Sequence, residues 1–228
     1  MLVNRHTIKI AIDGPAAAGK STVAKLVAQE LSYIYIDTGA MYRAITLKAL
    51  AHSIPLDNEA QLTQLLEQTV IKLKQAKEGQ QVFLDGEDVT LQIRSQQVTN
   101  HVSYIAKLPK IRQEMVNRQQ SFAKQGGVVM DGRDIGTYVL PNAEVKIFLV
   151  ASVDERAKRR FKENRRKGIP SDLEEIKNEI RKRDQIDSSR KVSPLVKAED
   201  AIEIDTTNQS IKQVAELILE EAYHVLKR

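Results

Sequence analysis

The sequence predicts a three-layer α/β fold, with a mostly parallel five-stranded sheet and helices on both faces. Three observations predict it. Short β-branched runs recur along the chain, separated by longer helical patterns. The runs stop at turn or polar residues, among them Asp13, Asp37, Asp131 and Asp205. A glycine-containing turn joins the first run to the first amphipathic helix.

Taken in order, Ile8-Lys9-Ile10-Ala11-Ile12 reads as a buried strand stopped by Asp13-Gly14-Pro15. Val23, Leu26, Val27 and Leu31 form the apolar stripe of a helix starting at Lys20. Tyr33-Ile34-Tyr35-Ile36 is a second strand, followed by helices over about 40–51 and 59–68. Between about 69 and 90 the pattern changes. Two β-like segments, 70–74 and 82–84, flank Glu78-Gly79-Gln80, and Asp85-Gly86 follows, which predicts a small inserted antiparallel hairpin. Helical patterns resume at about 94–100 and 109–124. Residues 127–130, 145–150 and 201–205 supply three more strands. The last helix carries Ile211, Val214, Ala215, Ile218, Ala222 and Val225 on one stripe. Ligands in such folds bind beyond the carboxyl ends of the strands, where Gly14, Asp37, Asp131 and Thr206 gather.

The chain has 228 residues, enough for one well-buried core with appendages, and is read as a single domain. It has no cysteine, which excludes a disulfide framework, a thiolate metal site and a cysteine nucleophile. The four histidines show no metal spacing. Met1-Leu2-Val3-Asn4-Arg5-His6 carries no apolar signal segment, and no run approaches the roughly 18–20 apolar residues that span a bilayer. The expectation is a cytoplasmic protein with no membrane partner and nothing demanding more than a monomer. The net charge of +5 suits nucleic acid or a polyanionic small molecule, and the placement of the charges decides between them.

Gly14-Pro15-Ala16-Ala17-Ala18-Gly19-Lys20-Ser21 fits G-x-x-x-x-G-K-[ST], and Thr22 completes the loop. Such a loop wraps a phosphate with its backbone N–H groups, so small side chains suit it. Lys20 is placed to reach the β- and γ-phosphates of a nucleoside triphosphate, Ser21 to ligate Mg²⁺, and the helix N-terminus to face the negative charge. Asp131, ending a strand, reads as a second magnesium ligand. Phosphoryl transfer needs positive charge around the transferring group. Arginines come in three places: Arg43, Arg133, and a run from Arg156 to Lys167 with eight basic residues in twelve. That run has one aromatic, Phe161, which argues against a base-stacking nucleic-acid surface. It ends at Gly168-Ile169-Pro170 and is read as a mobile lid over about 154–170 that would bring arginines to the γ-phosphate.

Five stretches together resemble the bacterial cytidylate kinases, a branch of the nucleoside monophosphate kinases. They are 13–22, Asp37-Thr38-Gly39-Ala40-Met41-Tyr42-Arg43, Gly86-Glu87-Asp88-Val89-Thr90, 130–137 with Gly132-Arg133-Asp134-Ile135-Gly136-Thr137, and 183–190 with Arg183, Asp187 and Arg190. The likeness runs essentially end to end. It implies a P-loop NTPase fold with an acceptor-binding region at about 37–103, including an insert at about 69–103. It also implies transfer of the ATP γ-phosphate to CMP or dCMP with Mg²⁺. Lys20, Arg133, Arg159 and Arg160 would then be catalytic. Arg43 and Arg133 would hold the acceptor phosphate, while Ser103, Arg112, Asp134 and Arg190 read the cytosine edge. Arg183 and Asp187 would contact the sugar, and Thr38 and Tyr42 would line the pocket. No nucleic-acid partner is expected.

Rival readings fare less well. A GTP-binding switch would carry an Asn-Lys-x-Asp motif, but the region after the last strand reads Asp205-Thr206-Thr207-Asn208. An RNA-binding P-loop protein would rest on the 156–167 run alone. Shikimate-like acceptors or UMP stay open as alternatives, since UMP differs from CMP at the edge Asp134 would read.

Overall fold

Strand β1 (Lys9–Asp13) lies at the centre of the larger sheet of the protein, in a computed structural model that describes residues 7–76, 79–124, 126–166 and 168–227. Met1–His6, Glu78 of the expected hairpin turn and Lys167 of the basic run lie outside the described residues. In chain order β1 is followed by α1 (Lys20–Leu31), β2 (Ile34–Asp37), α2 (Thr38–Ala51) and α3 (Glu59–Glu67). Next come β3 (Ile71–Ala76), β4 (Gly79–Leu84), β5 (Glu87–Asp88), α4 (Gln96–Ala106) and α5 (Pro109–Phe122). The chain closes with β6 (Val128–Gly132), β7 (Val145–Val150), α6 (Val153–Arg166), α7 (Leu173–Ser189), β8 (Ile202–Asp205) and α8 (Ile211–Leu226).

The five-stranded sheet has the order β2-β6-β1-β7-β8, and every pair is parallel. Side chains alternate across it with period two. Ile10, Ile12, Val129, Ile147 and Leu149 meet Val23 and Val27 of α1 and Val214 and Ile218 of α8. Ala11, Ile36, Val128 and Met130 face the other way, against Ile135, Val139 and Leu140. Leu26 and Ile211, expected on buried stripes, are 41% and 48% exposed. The close approach of α1 to the sheet is made by Ala24 and Ala28 instead. Among the described residues no helix is long and apolar enough to cross a membrane.

A second core joins α2, α3, α4 and α5 to the inserted β-element, through Met41, Ile45, Leu62, Leu66, Val82, Ile105 and Ile111. The insert is a three-stranded antiparallel sheet, not a hairpin alone, because β5 adds a short third strand to β4. The expected helix near 94–100 resolves into a 3₁₀ turn, Gln92–Arg94, and α4, which starts at a Ser95 cap accepting from the Val98 N–H. The sequence signals α7 only weakly, since Ile176 and Ile180 are its buried apolar residues. Both pack on Ala157 of α6.

β2 is an edge strand, and its exposed ladder is covered by side chains of the insert. Gln75 and Gln80 each donate to the Tyr35 carbonyl, at 2.6 and 2.7 Å, and Gln80 accepts from the Asp37 N–H at 3.1 Å. Asp37 in turn caps α2 through the Ala40 N–H at 2.9 Å. The insert thus grips the start of the helix that carries Thr38, Tyr42 and Arg43. Gln80→Ala leaves the buried Asp37 N–H without its acceptor, and urea unfolding should show a loss of about 1–3 kcal/mol. An unchanged midpoint would refute the anchoring role.

Candidate active site

The loop of residues 14–22 leaves β1 through two glycines in the left-handed half of backbone space, Gly14 (φ 145°) and Gly19 (φ 92°). A Cβ on Gly14 would stand 2.2 Å from the Leu149 carbonyl oxygen, so a side chain has no room there. Ala16 and Ala18 turn inward and are buried, which gives their small size a packing reason as well. Three loop carbonyls are held by side chains: Pro15 by Lys20 Nζ at 2.7 Å, Ala16 by Arg156 Nη1 at 3.1 Å, and Ala18 by Thr206 Oγ1 at 3.3 Å. Peptide planarity then fixes where the loop's N–H groups face. Lys20 is buried, and burial together with the nearby Arg133 holds its ammonium well below the ordinary lysine value. A desolvated cation beside another cation favours an anionic ligand.

Asp131, the penultimate residue of β6, faces the start of α1 through Ser21. Its two carboxylate oxygens accept from Ser21 Oγ at 2.9 Å and from the Tyr35 hydroxyl at 2.7 Å. Burial and the neighbouring Asp37 raise its carboxyl to about 6, against the opposing pull of Lys20. Ser21 and Asp131 therefore offer adjacent hard oxygen donors in a place that favours a cation. Among the described residues no group of three or more His, Cys, Asp or Glu could hold a metal. This donor set fits magnesium, which takes one or two protein oxygens and completes its shell with phosphate and water.

The region on the other side of Lys20 is built around arginines that are buried or half-buried. Burial first, then repulsion from Arg133, Arg43 and Arg160, lowers Arg183 to about 9. Burial likewise lowers Arg43 to about 10, with Arg94, Arg160 and Arg133 adding to it. Arg43 donates to Thr99 Oγ1 at 2.7 Å, and Arg133 Nε donates to Asp187 Oδ2 at 2.9 Å. Asp187 is buried, which works against its charge, but Arg133, Arg183 and Arg190 outweigh burial and hold it below the usual carboxylate value. One carboxylate therefore faces several cations. Farther in, Asp134 pairs with Arg112 through Oδ2 and lies 3.6 Å from Arg190 Nη2 through Oδ1. Tyr42 stacks on Arg112, with the guanidinium carbon 5.5 Å from its ring centroid. Among the described residues the buried Tyr42 hydroxyl, Arg183 Nε and Arg190 Nη2 have no hydrogen-bond partner. A cleft of about 150 Å³ opens at Arg183, lined also by Thr99, Ser103, Tyr104, Arg160 and Lys182 among others.

The structure thus gathers the residues singled out in the sequence into two adjoining places, and separates two of them. Arg160 lines the cleft, whereas Arg159 Nη1 donates to Thr206 Oγ1 at 3.0 Å, beside the phosphate loop. Thr38 spends its hydroxyl on the Asp131 carbonyl at 2.7 Å. Several site residues escaped the sequence reading. Arg156, lost within the basic run, links the loop carbonyl of Ala16 to Asp184 of α7 at 2.6 Å. Arg94, on the 3₁₀ turn, reaches Asp37 at 3.3 Å. Tyr35 looked like a strand residue only. Asp13 looked like a turn residue only.

A parallel sheet with a glycine-bounded anion loop at its carboxyl edge, and adjacent Ser and Asp oxygens, defines a P-loop nucleotide-binding protein. A solved structure of an uncharacterized protein from Eubacterium ventriosum shares this fold, with a TM-score of 0.51 and 14% identity over 97% of this chain and 99% of that one. The description of the cytidylate kinase family matches residues 10–224. The cytidylate kinase of Geobacillus sp. (strain WCH70) is 66% identical over 216 residues, covering 95% of this chain and 96% of that protein. The cytidylate kinase of Bacillus subtilis (strain 168) is 62% identical, covering 93% and 95%. The chain belongs to the cytidylate kinase family.

Gly14→Ala should be severe, because both the backbone angle and the Leu149 carbonyl oppose it. The expected loss is about 3 kcal/mol or more of unfolding free energy, with loss of ATP binding by calorimetry. A variant that binds ATP normally would refute the steric argument.

Proposed function

We propose that this protein transfers the γ-phosphate of ATP to CMP or dCMP, giving ADP and CDP or dCDP. The observation that carries the reading is the adjacency of two anion sites: Lys20 in the phosphate loop stands close enough to Arg133 to feel its charge. Arg133 belongs in turn to a half-buried cluster with Arg43, Arg160 and Arg183. Two phosphates brought there would lie side by side, with the transferring group between them. The names of the close relatives support the same acceptor.

In this reading the loop of residues 14–22 holds the donor phosphates and Lys20 reaches the β- and γ-phosphates. Arg43 and Arg133 hold the acceptor phosphate, whose oxygen attacks the γ-phosphorus as ADP leaves. Arg160 adds charge at the transferring group. Arg159, fixed on Thr206, shapes the donor side. Magnesium, held through Ser21 and Asp131, neutralises charge on the donor phosphates when bound. Arg183 and Asp187 meet the sugar beside the pocket wall of Thr38 and Tyr42. Cytosine presents an amine donor next to two acceptors, which suits Asp134 flanked by Arg112 and Arg190, with Ser103 at the cleft wall. A buried pocket of this kind rejects bases that leave those groups unpaired. The region of about 37–103 then acts as the acceptor-binding part, and about 154–170 as a lid that closes over both nucleotides. A cytoplasmic, monomeric enzyme acting on free nucleotides completes the proposal.

The test is a coupled ADP-release assay with ATP, Mg²⁺ and each of CMP, dCMP, UMP, AMP and GMP. Strong turnover confined to CMP and dCMP is expected. No turnover with any monophosphate would overturn the acceptor assignment. Lys20→Ala should lower kcat by about 10²-fold or more, since it removes a cation from the γ-phosphate. Asp134→Ala should lower the CMP-to-UMP preference more than it changes ATP binding, and an unchanged ratio would refute the base-reading role.

A further inference from the structure

We infer that Asp13 is a positioning residue for base recognition: it caps the turn that follows Asp134, and so frees the Asp134 carboxylate to read the acceptor base. The inference rests on the reading of the Asp134 pocket given above. Asp13 closes β1 immediately before the phosphate loop and is 4% exposed. Both its oxygens are used across the fold. Oδ1 accepts from the Ile135 N–H at 2.8 Å and Oδ2 from the Gly136 N–H at 2.7 Å. Those two N–H groups open a single π-helical turn, Ile135–Val139. Its internal bonds run from the Tyr138 and Val139 N–H groups back to the Asp134 carbonyl, at 2.9 and 3.1 Å.

The first N–H groups of any helical turn lack internal acceptors, and an aspartate at the N-cap ordinarily supplies one. Asp134 holds that N-cap position and makes no cap bond with its side chain. Its carboxylate points instead at Arg112 and Arg190. The capping duty has passed to Asp13, from a strand more than a hundred residues earlier in the chain. Two carboxylates thus divide two tasks that one residue could not perform together. Space agrees with the arrangement. A Cβ on Gly136 would lie 3.5 Å from Asp13 Oδ2 and 3.3 Å from Lys146 Cδ, so the turn is pressed close onto the strand end. Burial raises Asp13 to about 7 and Asp134 adds to this, while the two N–H bonds and Lys20 act the other way. Because Asp13 also adjoins Gly14, the same residue keeps the donor loop in register with the base reader.

Asp134 holds the N-cap position, so without the Asp13 carboxylate it is the residue whose side chain would supply an acceptor to the freed N–H groups. Turning back to cap its own turn, it would leave the base. Asp13→Asn tests this, since the amide keeps the size but sets an NH₂ against one of the two N–H donors. In steady-state assays the expected result is a rise of about 10- to 100-fold in KM for CMP and a matching fall in the CMP-to-UMP preference. KM for ATP should change by less than about twofold. The double variant Asp13→Asn/Asp134→Ala should discriminate no worse than Asp134→Ala alone, because the carboxylate that Asp13 frees is already gone. An equal rise in KM for ATP would overturn the inference, as would a lowered melting temperature with an unchanged CMP-to-UMP ratio. Should Asp13→Asn not fold, Asp13→Ser, which leaves at most one of the two N–H groups an acceptor, must show the same CMP-selective loss; normal CMP kinetics in it would overturn the inference. A wild-type protein inactive on CMP would instead overturn the functional reading and this inference with it.

Discussion

Taking mutually repelling cations out of water is the constraint on which the rest of this structure depends. Lys20, Arg43, Arg133 and Arg183 stand near one another at one edge of the sheet, with most of their water removed. Unpaired buried charge is strongly destabilising, so each cation must be met by fixed counter-charge or a polar partner. The fold meets this with aspartates on different elements. Asp131 is the penultimate residue of β6, and Asp187 sits on α7, where Arg133 and Arg183 reach it. Asp134, one residue past Arg133, takes Arg112 and Arg190. The balance is partial, since Arg183 and Arg43 remain depressed. The deficit is what a set of phosphates would fill.

Such a cluster keeps its geometry only if its supports are rigid, and the supports converge on the carboxyl ends of β1, β2 and β6. Parallel pairing aligns these ends in register: Asp13 lies beside Gly132, and Asp37 beside Asp131. The outlying parts are then fastened to the same edge by polar side chains. Gln80 ties the insert to β2, and Arg156 ties α6 and α7 to the phosphate loop. Thr206 ties the turn after β8 to that loop. The ties to β2 and to the loop are buried hydrogen bonds to backbone, which specify direction more sharply than apolar contact does.

What the sequence made legible follows from how local each signal is. β-branched runs and the glycine loop are short-range patterns, so the five strands and the loop could be placed almost to the residue. Lys20, Ser21 and Asp131 followed from the loop and one strand end. Arg112, Asp134, Arg183 and Arg190 are spread over α5, the turn after β6 and α7 with its C-cap, and no spacing rule brings them together; the resemblance to a family did. Asp13, Arg94 and Arg156 were missed because their partners lie far along the chain or, like Ala16, are backbone atoms. The third strand of the insert was missed because Glu87-Asp88 has no β-forming character, and it pairs only because Asp85-Gly86 turns it back onto β4. Leu26 misled for a related reason, since an apolar stripe wider than the contact leaves one member outside.

On the proposed reading, the same repulsion explains why charge is better spent on the transferring group than on either substrate alone. Lys20 belongs to the donor site and Arg133 to the acceptor site, yet each feels the other's charge. A group lying between them is attracted by both, whereas an anion on one side alone leaves the opposite cation uncompensated. Negative charge shared over the phosphoryl in flight therefore meets more of the cluster than either bound ground state does. Interactions that strengthen only at that point raise the rate, not merely the affinity. The aspartates are placed in keeping with this: Asp187 and Asp134 pair with Arg133, Arg112 and Arg190, whereas Lys20 spends its ammonium on the Pro15 carbonyl of the loop itself.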